Sequence, residues 1–220
     1  MVKICGIDDA GRGPVIGPMV LAGILIDEKD LDKLKELGAK DSKDLTPKQR
    51  ELIYSKIVKE FKIYKIVKST PQQIDQALNS SNSNLNWFEA DKMIEIINTL
   101  NPEKVIIDCP SNNIPAFTEY LENKIKTKTQ IICEHKADSK YPIVGAASIL
   151  AKVTRDAEIE KIKKELRADF GSGYPSDPKT KKFLKENWNK YPGIFRTTWS
   201  SYKNVSEGKN SKKQKTLADF

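Results

Sequence analysis

Four aspartates stand where their type and spacing could do chemistry. Asp8 and Asp9 lie side by side in GIDDAGRGPVIGP, Asp108 closes the apolar run KVIID, and Asp138 sits in the polar segment HKADSK. The runs before Asp8 and Asp108 have the pattern of short buried strands, so both acids are read as strand ends. Successive strand residues point to opposite faces. Asp8 and Asp9 therefore serve one site only where the strand stops and the chain turns, and the run Lys3 to Asp8 is read as stopping there. If these strands are neighbours, four carboxylates crowd one edge of a sheet, which is strongly repulsive without compensation. A hard divalent cation such as Mg²⁺ resolves the repulsion, because it takes oxygen ligands from a few carboxylates and from substrate phosphates. Two such ions activate a water and stabilise the leaving oxygen of a phosphodiester. The competing reading makes each aspartate a cap, a turn residue or a surface charge, the commoner fate of any single one. His135, the only histidine, is too little for a zinc site.

The elements that must position these acids are legible in outline. Val20 to Ile26 reads as a second strand after the glycine loop, with further strands at Lys62 to Val67, Lys104 to Asp108 and Gln130 to Cys133. Thr46-Pro47-Lys48-Gln49 carries a cap, a first-turn proline and a capping-box glutamine, which predicts a helix over Pro47 to Glu60. Apolar spacing predicts a helix over Trp87 to Leu100, and a long alanine-bearing one over Val144 to Phe170. HKADSK and GSGYPSDP are read as loops, and Pro178 to Lys190 and Thr198 to Val205 as shorter helices. Strands alternating with helices imply an α/β sheet with helices packed on it. The expected division is a catalytic core over 1–165, a C-terminal helical extension over 166–205 and a flexible basic tail over 206–220.

Gly11, Gly13 and Gly17 follow a strand, yet Pro14, Pro18 and another strand-like run come next where a nucleotide-binding loop would open into a helix. A dinucleotide or P-loop cradle is therefore disfavoured. A tight hairpin turn, or a close backbone approach to a ligand, stays open.

Lysine and arginine exceed aspartate and glutamate by 38 to 30, a net charge of +8 that tilts expected partners toward polyanions. Cys5, Cys109 and Cys133 are odd in number and embedded in apolar runs, so they are read as buried small hydrophobes and not as a disulfide or metal framework. No apolar run has the length of a membrane span, and a cytoplasmic, monomeric protein is expected.

Five segments in order, GIDDAGRGPVIGPMV, DSKDLTP at 41–47, IIDCP at 106–110, HKADSKYPIVGAASILAKVTRD at 135–156 and GSGYPSDP at 171–178, resemble type 2 ribonuclease H (ribonuclease HII), most closely its archaeal branch. The resemblance implies an RNase H-like mixed sheet flanked by helices, with a C-terminal helical extension. It also implies Mg²⁺- or Mn²⁺-dependent endonucleolytic cleavage of the RNA strand of RNA/DNA hybrids, and cleavage 5′ of a single ribonucleotide embedded in duplex DNA. Carried over, Asp8, Asp9, Asp108 and Asp138 fall on the four acidic active-site positions, the first three as metal ligands. Gly11, Arg12 and Gly13 fall on the loop that reads the ribose 2′-OH, and Tyr174 on a tyrosine that stacks on the following sugar. Glycine-exposed backbone suits a hydroxyl that both donates and accepts. Arg12 adds charge for a phosphate, and Lys43 and Lys152 are further phosphate contacts. Read without the family, Tyr174 is equally a loop residue packing on the core.

One position departs from the family. Its signature is DEAGRG, and Asp9 stands where glutamate is expected. The lost methylene retracts the carboxylate by about 1.3 Å, against ligand distances to Mg²⁺ of about 2.0–2.1 Å. Either the backbone compensates, or activity falls or shifts to a more tolerant ion such as Mn²⁺. The alternative function class is a hybrid-binding module with impaired catalysis.

The tail QKTLADF places Gln214, Leu217 and Phe220 on one face of a helical turn. The pattern resembles the peptide by which replication and repair enzymes dock on a sliding clamp. Folding back on the chain's own body is the competing reading.

Overall fold

The computed structural model describes residues 2–39, 45–81 and 83–208. Lys43, Gln214, Leu217 and Phe220 lie outside them. Five strands form one mixed sheet: β1 (Lys3–Ala10), β2 (Met19–Asp27), β3 (Tyr64–Ser69), β4 (Lys104–Asp108) and β5 (Gln130–Glu134), in the order β3-β2-β1-β4-β5. β1 pairs antiparallel with β2 and parallel with β4; β3 and β5 extend the sheet antiparallel and parallel respectively.

Nine helices accompany it among the described residues: α1 (Leu31–Glu36), α2 (Pro47–Glu60), α3 (Pro71–Leu78), α4 (Leu85–Leu100), α5 (Ile114–Lys124), α6 (Ala137–Lys140), α7 (Pro142–Leu166), α8 (Pro178–Asn187) and α9 (Ser200–Ser206). On one face of the sheet Ile4, Ala10, Val20 and Ala22 share a core with Ile57 of α2 and Ile143, Ala146 and Leu150 of α7. On the other, Cys5, Ile7 and Leu21 pack with Ile74 of α3, Met93 and Ile97 of α4 and Phe117 of α5. Both faces are covered, which is why β2 is buried almost throughout and reads as a continuous apolar run. The long helix lies close on the sheet: a Cβ at Gly6 would stand 2.4 Å from the Ile143 carbonyl oxygen.

A third core joins the segment after β1 to the C-terminal extension, through Val15, Ile16, Ile159, Phe170, Phe183, Leu184 and Phe195. The extension therefore packs on the very loop that follows the paired aspartates.

Three expectations change. β1 runs on to Ala10, because the ladder with β2 continues to the pair Ala10 and Val20, so Asp8 and Asp9 lie inside the strand. The long helix starts at Pro142 and stops at Leu166, where Arg167 takes a left-handed conformation, φ 50°, and caps it. HKADSK is not all loop: Lys136 turns left-handed, φ 58°, and Ala137–Lys140 form one helical turn. The three cysteines are free; Cys5 and Cys109 are buried and Cys133 partly so. No helix among the described residues is long and apolar enough to cross a membrane.

Candidate active site

The parallel pairing of β1 and β4 sets Ile7 against Ile107, so the next residue along each strand is an acid, Asp8 beside Asp108. Asp138 is brought to the same edge by α6, whose first turn supplies the Ala137 N–H that donates to Asp108 at 3.0 Å. Ligand oxygens of Asp8, Asp108 and Asp138 all lie within 4.8 Å of one another. Asp8 and Asp138 are buried, and Asp108 partly so. The Asp9 N–H donates to Asp8 at 2.7 Å, and the Ser148 hydroxyl of α7 donates to the same carboxylate. Burial, then the neighbouring charges of Asp9 and Asp108, push the Asp8 carboxyl well above its ordinary pKa despite those bonds. The donor set is all oxygen and all anionic. It fits a hard divalent cation of the Mg²⁺ or Mn²⁺ kind and does not fit zinc.

Asp9 stands outside that group. It has the parity of Cys5 and Ile7 on β1, so it leaves the sheet on the α4 face, whereas Asp8 has the parity of Ile4 and Ala10 and faces α7. On its own face Asp9 meets the field of Glu89, a fully buried carboxyl of α4. Burial and the Asp9 charge push Glu89 up to about 8, against the pull of Arg12. Arg12 Nε donates to Glu89 at 2.8 Å and Nη2 to Asn86 at 2.5 Å, which ties the glycine loop to α4.

The aspartates open into a cleft of about 520 Å³ that Gly11, Arg12, Gly13, Lys152, Arg50 and Tyr174 also line. Gly11 has φ +85°, and a Cβ there would meet the Pro18 carbonyl oxygen at 2.8 Å, so only glycine carries the chain through this turn. Tyr174 lies against Gly13, its ring about an ordinary contact distance, 3.5 Å, from where a Cβ would be. Arg155 holds that tyrosine's loop: it donates to the Ser172 carbonyl at 2.6 Å, and its guanidinium lies 5.2 Å from the Tyr174 ring centroid. Lys152 reaches the cleft while bonded to Asp156 at 3.2 Å, and Asp156 also accepts from Arg155. His135 is engaged on the Cys109 carbonyl through Nδ1 at 3.0 Å.

The structure thus gathers Asp8, Asp9, Asp108, Asp138, Gly11, Arg12, Gly13, Lys152 and Tyr174 around one cleft, with Asp9 on a different face from its three partners. Ser148, Glu89, Arg155 and Arg196 were not singled out in the sequence. Glu89 had a signal, since a charged residue occupies the stripe it shares with Met93, Ile96 and Leu100, all buried. For Arg196 no local signal exists.

Sheet order, helix placement and acids clustered at one edge of the parallel pair β1 and β4 define an RNase H-like α/β protein. The description Ribonuclease HII belongs to the family model that matches residues 5–202. The ribonuclease HII of Pyrococcus furiosus is 45% identical over 99% of this chain and 97% of its own length. The crystal structure of the ribonuclease H2 from Pyrococcus horikoshii superposes with a TM-score of 0.86 at 43% identity, over 96% of this chain and all of that one. The RNase HII in the PCNA:RNase HII complex from Archaeoglobus fulgidus has a TM-score of 0.80 at 40% identity, over 99% of this chain and all of that one. The chain belongs to the ribonuclease HII family. It is a hydrolase, an endonuclease acting on the RNA strand of RNA/DNA hybrids.

Proposed function

We propose that the cleft cuts the RNA strand on the 5′ side of a ribonucleotide, including one embedded alone in duplex DNA, with Mg²⁺ or Mn²⁺ held by the aspartates. The observation that carries this reading is the convergence of Asp8, Asp108 and Asp138 within 4.8 Å, beside a glycine loop that lines the same cleft. Asp9 completes the ligand set from the α4 face. Two ions held by these carboxylates would supply an activated water and positive charge for the leaving oxygen. Ser148 and the Asp9 N–H keep the Asp8 carboxylate aimed; the Ala137 N–H does the same for Asp108. Gly11 and Gly13 bring backbone close enough to test for a 2′-OH, and Tyr174 offers a face for the next sugar. Arg12 spends Nε and Nη2 on Glu89 and Asn86, which leaves its remaining donors, and Lys152 and Lys43, for phosphates.

By the same reading the chain works as a monomer, with a catalytic core over 1–165, a helical extension over 166–205 and a basic tail over 206–220 that lies largely outside the described residues. Gln214, Leu217 and Phe220 dock on a sliding clamp; the support is the Archaeoglobus fulgidus relative, whose structure is of its complex with PCNA.

The test is a labelled DNA duplex carrying one ribonucleotide, incubated with the chain in Mg²⁺, Mn²⁺ or EDTA. A single cut 5′ of the ribonucleotide in either ion, none in EDTA, and a loss of about 10³-fold in Asp8→Asn is expected. Binding without cleavage in both ions would overturn the reading.

A further inference from the structure

Resting on the reading of the glycine loop as the reader of a 2′-OH, we propose that Arg196 and Trp199 are positioning residues that set the loop's peptide orientation and thereby its discrimination of ribose from deoxyribose. Neither residue lines the cleft. Arg196 is fully buried behind the loop. Its Nη2 donates to the Gly11 carbonyl at 2.6 Å and the Gly17 carbonyl at 3.0 Å, its Nη1 to the Arg12 carbonyl at 2.8 Å, and its Nε again to Gly17 at 3.1 Å. Trp199 Nε1 donates to the Gly13 carbonyl at 3.1 Å. Three consecutive carbonyls, those of Gly11, Arg12 and Gly13, are therefore turned toward the C-terminal extension.

Peptide planarity converts this into a statement about the other side of the loop. No cis bond occurs among the described residues, and in a trans peptide the N–H points opposite to the C=O. The Arg12 N–H shares a plane with the Gly11 carbonyl, and the Gly13 N–H with the Arg12 carbonyl. Both amides accordingly point away from Arg196, to the side where Gly11, Arg12 and Gly13 line the cleft. Neither amide reaches an acceptor among the described residues. Two adjacent donors are thus held ready for an oxygen, and a ribose supplies one where deoxyribose supplies only a hydrogen.

The clasp is also anchored by contacts other than those to the Gly11, Arg12 and Gly13 carbonyls. Asp75 of α3 accepts from the N–H and hydroxyl of both Thr197 and Thr198, at 2.6–3.0 Å. The Arg196 N–H donates to the Val15 carbonyl at 2.9 Å, and the Gly17 N–H to the Ile194 carbonyl at 2.9 Å. The Arg196 guanidinium lies 4.8 Å from the Trp199 ring centroid, so the two side chains also support one another. A single guanidinium fork is what three differently placed carbonyls require; a lysine ammonium keeps the charge and loses the geometry.

The experiment measures, with the full-length chain in Mn²⁺, the Michaelis constant for a fluorescein-labelled duplex carrying one ribonucleotide and the inhibition constant of the all-DNA duplex of the same sequence. Their ratio is the preference for a 2′-OH. Trp199→Phe keeps the ring and deletes the donor that holds the Gly13 carbonyl, on the same residue as the Gly13 N–H, and should lower the preference by up to about fivefold, the full value of one hydrogen bond, with Tm and the all-DNA constant unchanged. Arg196→Lys should lower it by about tenfold or more. An unchanged preference in a folded Trp199→Phe overturns the proposal, whether or not Arg196→Lys folds. Equal weakening for both duplexes also overturns it, since that marks a role in the fold alone. If the unmodified chain itself shows no preference, the reading of the loop fails and this proposal with it; a preference retained by the variants removes only the proposal.

Discussion

Asp8 and Asp9 are neighbours in sequence that leave β1 on opposite faces of the sheet, Asp8 toward Ser148 of α7 and Asp9 into the field of Glu89 of α4. The strand's extension to Ala10 imposes this alternation. Asp9 must therefore approach the three clustered carboxylates across the strand, and side-chain length matters more there than at Asp8.

Asp9→Glu adds one methylene, about 1.3 Å of reach, on the side from which Asp9 approaches. Cleavage in Mg²⁺ should rise several-fold, and rise more than in Mn²⁺, because the smaller ion demands near-ideal octahedral geometry. Comparing kcat in the two ions for both chains decides the matter. An unchanged Mg²⁺ to Mn²⁺ ratio would sink the geometric argument.

Glu89 gives the fold a pH dependence. Its folded pKa is raised from 4.5 to about 8, so between those values the folded chain holds a proton that the unfolded chain has released. Stability therefore falls as pH rises through this window and levels off above it. Glu89→Gln cannot titrate, and its unfolding free energy should fall less steeply over pH 5 to 8, by up to about 1.4 kcal/mol per pH unit. Urea unfolding in EDTA across that range measures it; parallel profiles for the two chains would contradict the assignment.

Deleting Gln214 to Phe220 should abolish binding to a sliding clamp and leave kcat and KM on short duplexes within about twofold, since the peptide is assigned to docking alone. Surface plasmon resonance against the clamp and a steady-state assay suffice. A fall in Tm on deletion would instead favour the tail folding back on the body.

Much of this architecture is written locally. Thr46, Pro47 and Gln49 delimit α2, and the capping box they form is present in full. KVIID is β4, residue for residue. The acids were legible because strands of an α/β sheet end at one edge, so Asp8 and Asp108 declare themselves by what precedes them. Thr70, Pro71 and Gln73 carry the same signal as α2 and start α3, which went unread behind a short and mostly polar segment. Other features are not local at all. How far β1 runs past Asp8 is decided by pairing with Val20, and that decision separates Asp8 from Asp9. Arg196 resembles any surface arginine until the fold places four carbonyl contacts around it.

The bonds from Arg196 to Gly11 and Gly17 span 185 and 179 residues of chain. Such contacts close loops that span most of the described chain, and during synthesis they form only after the sheet's strands have all been made. A nascent or truncated chain ending before Arg196 has every clustered aspartate and lacks the backing of its glycine loop. If Arg196 sets the loop as proposed, selectivity for ribose would be the last property this polypeptide acquires, later than the capacity to gather its carboxylates.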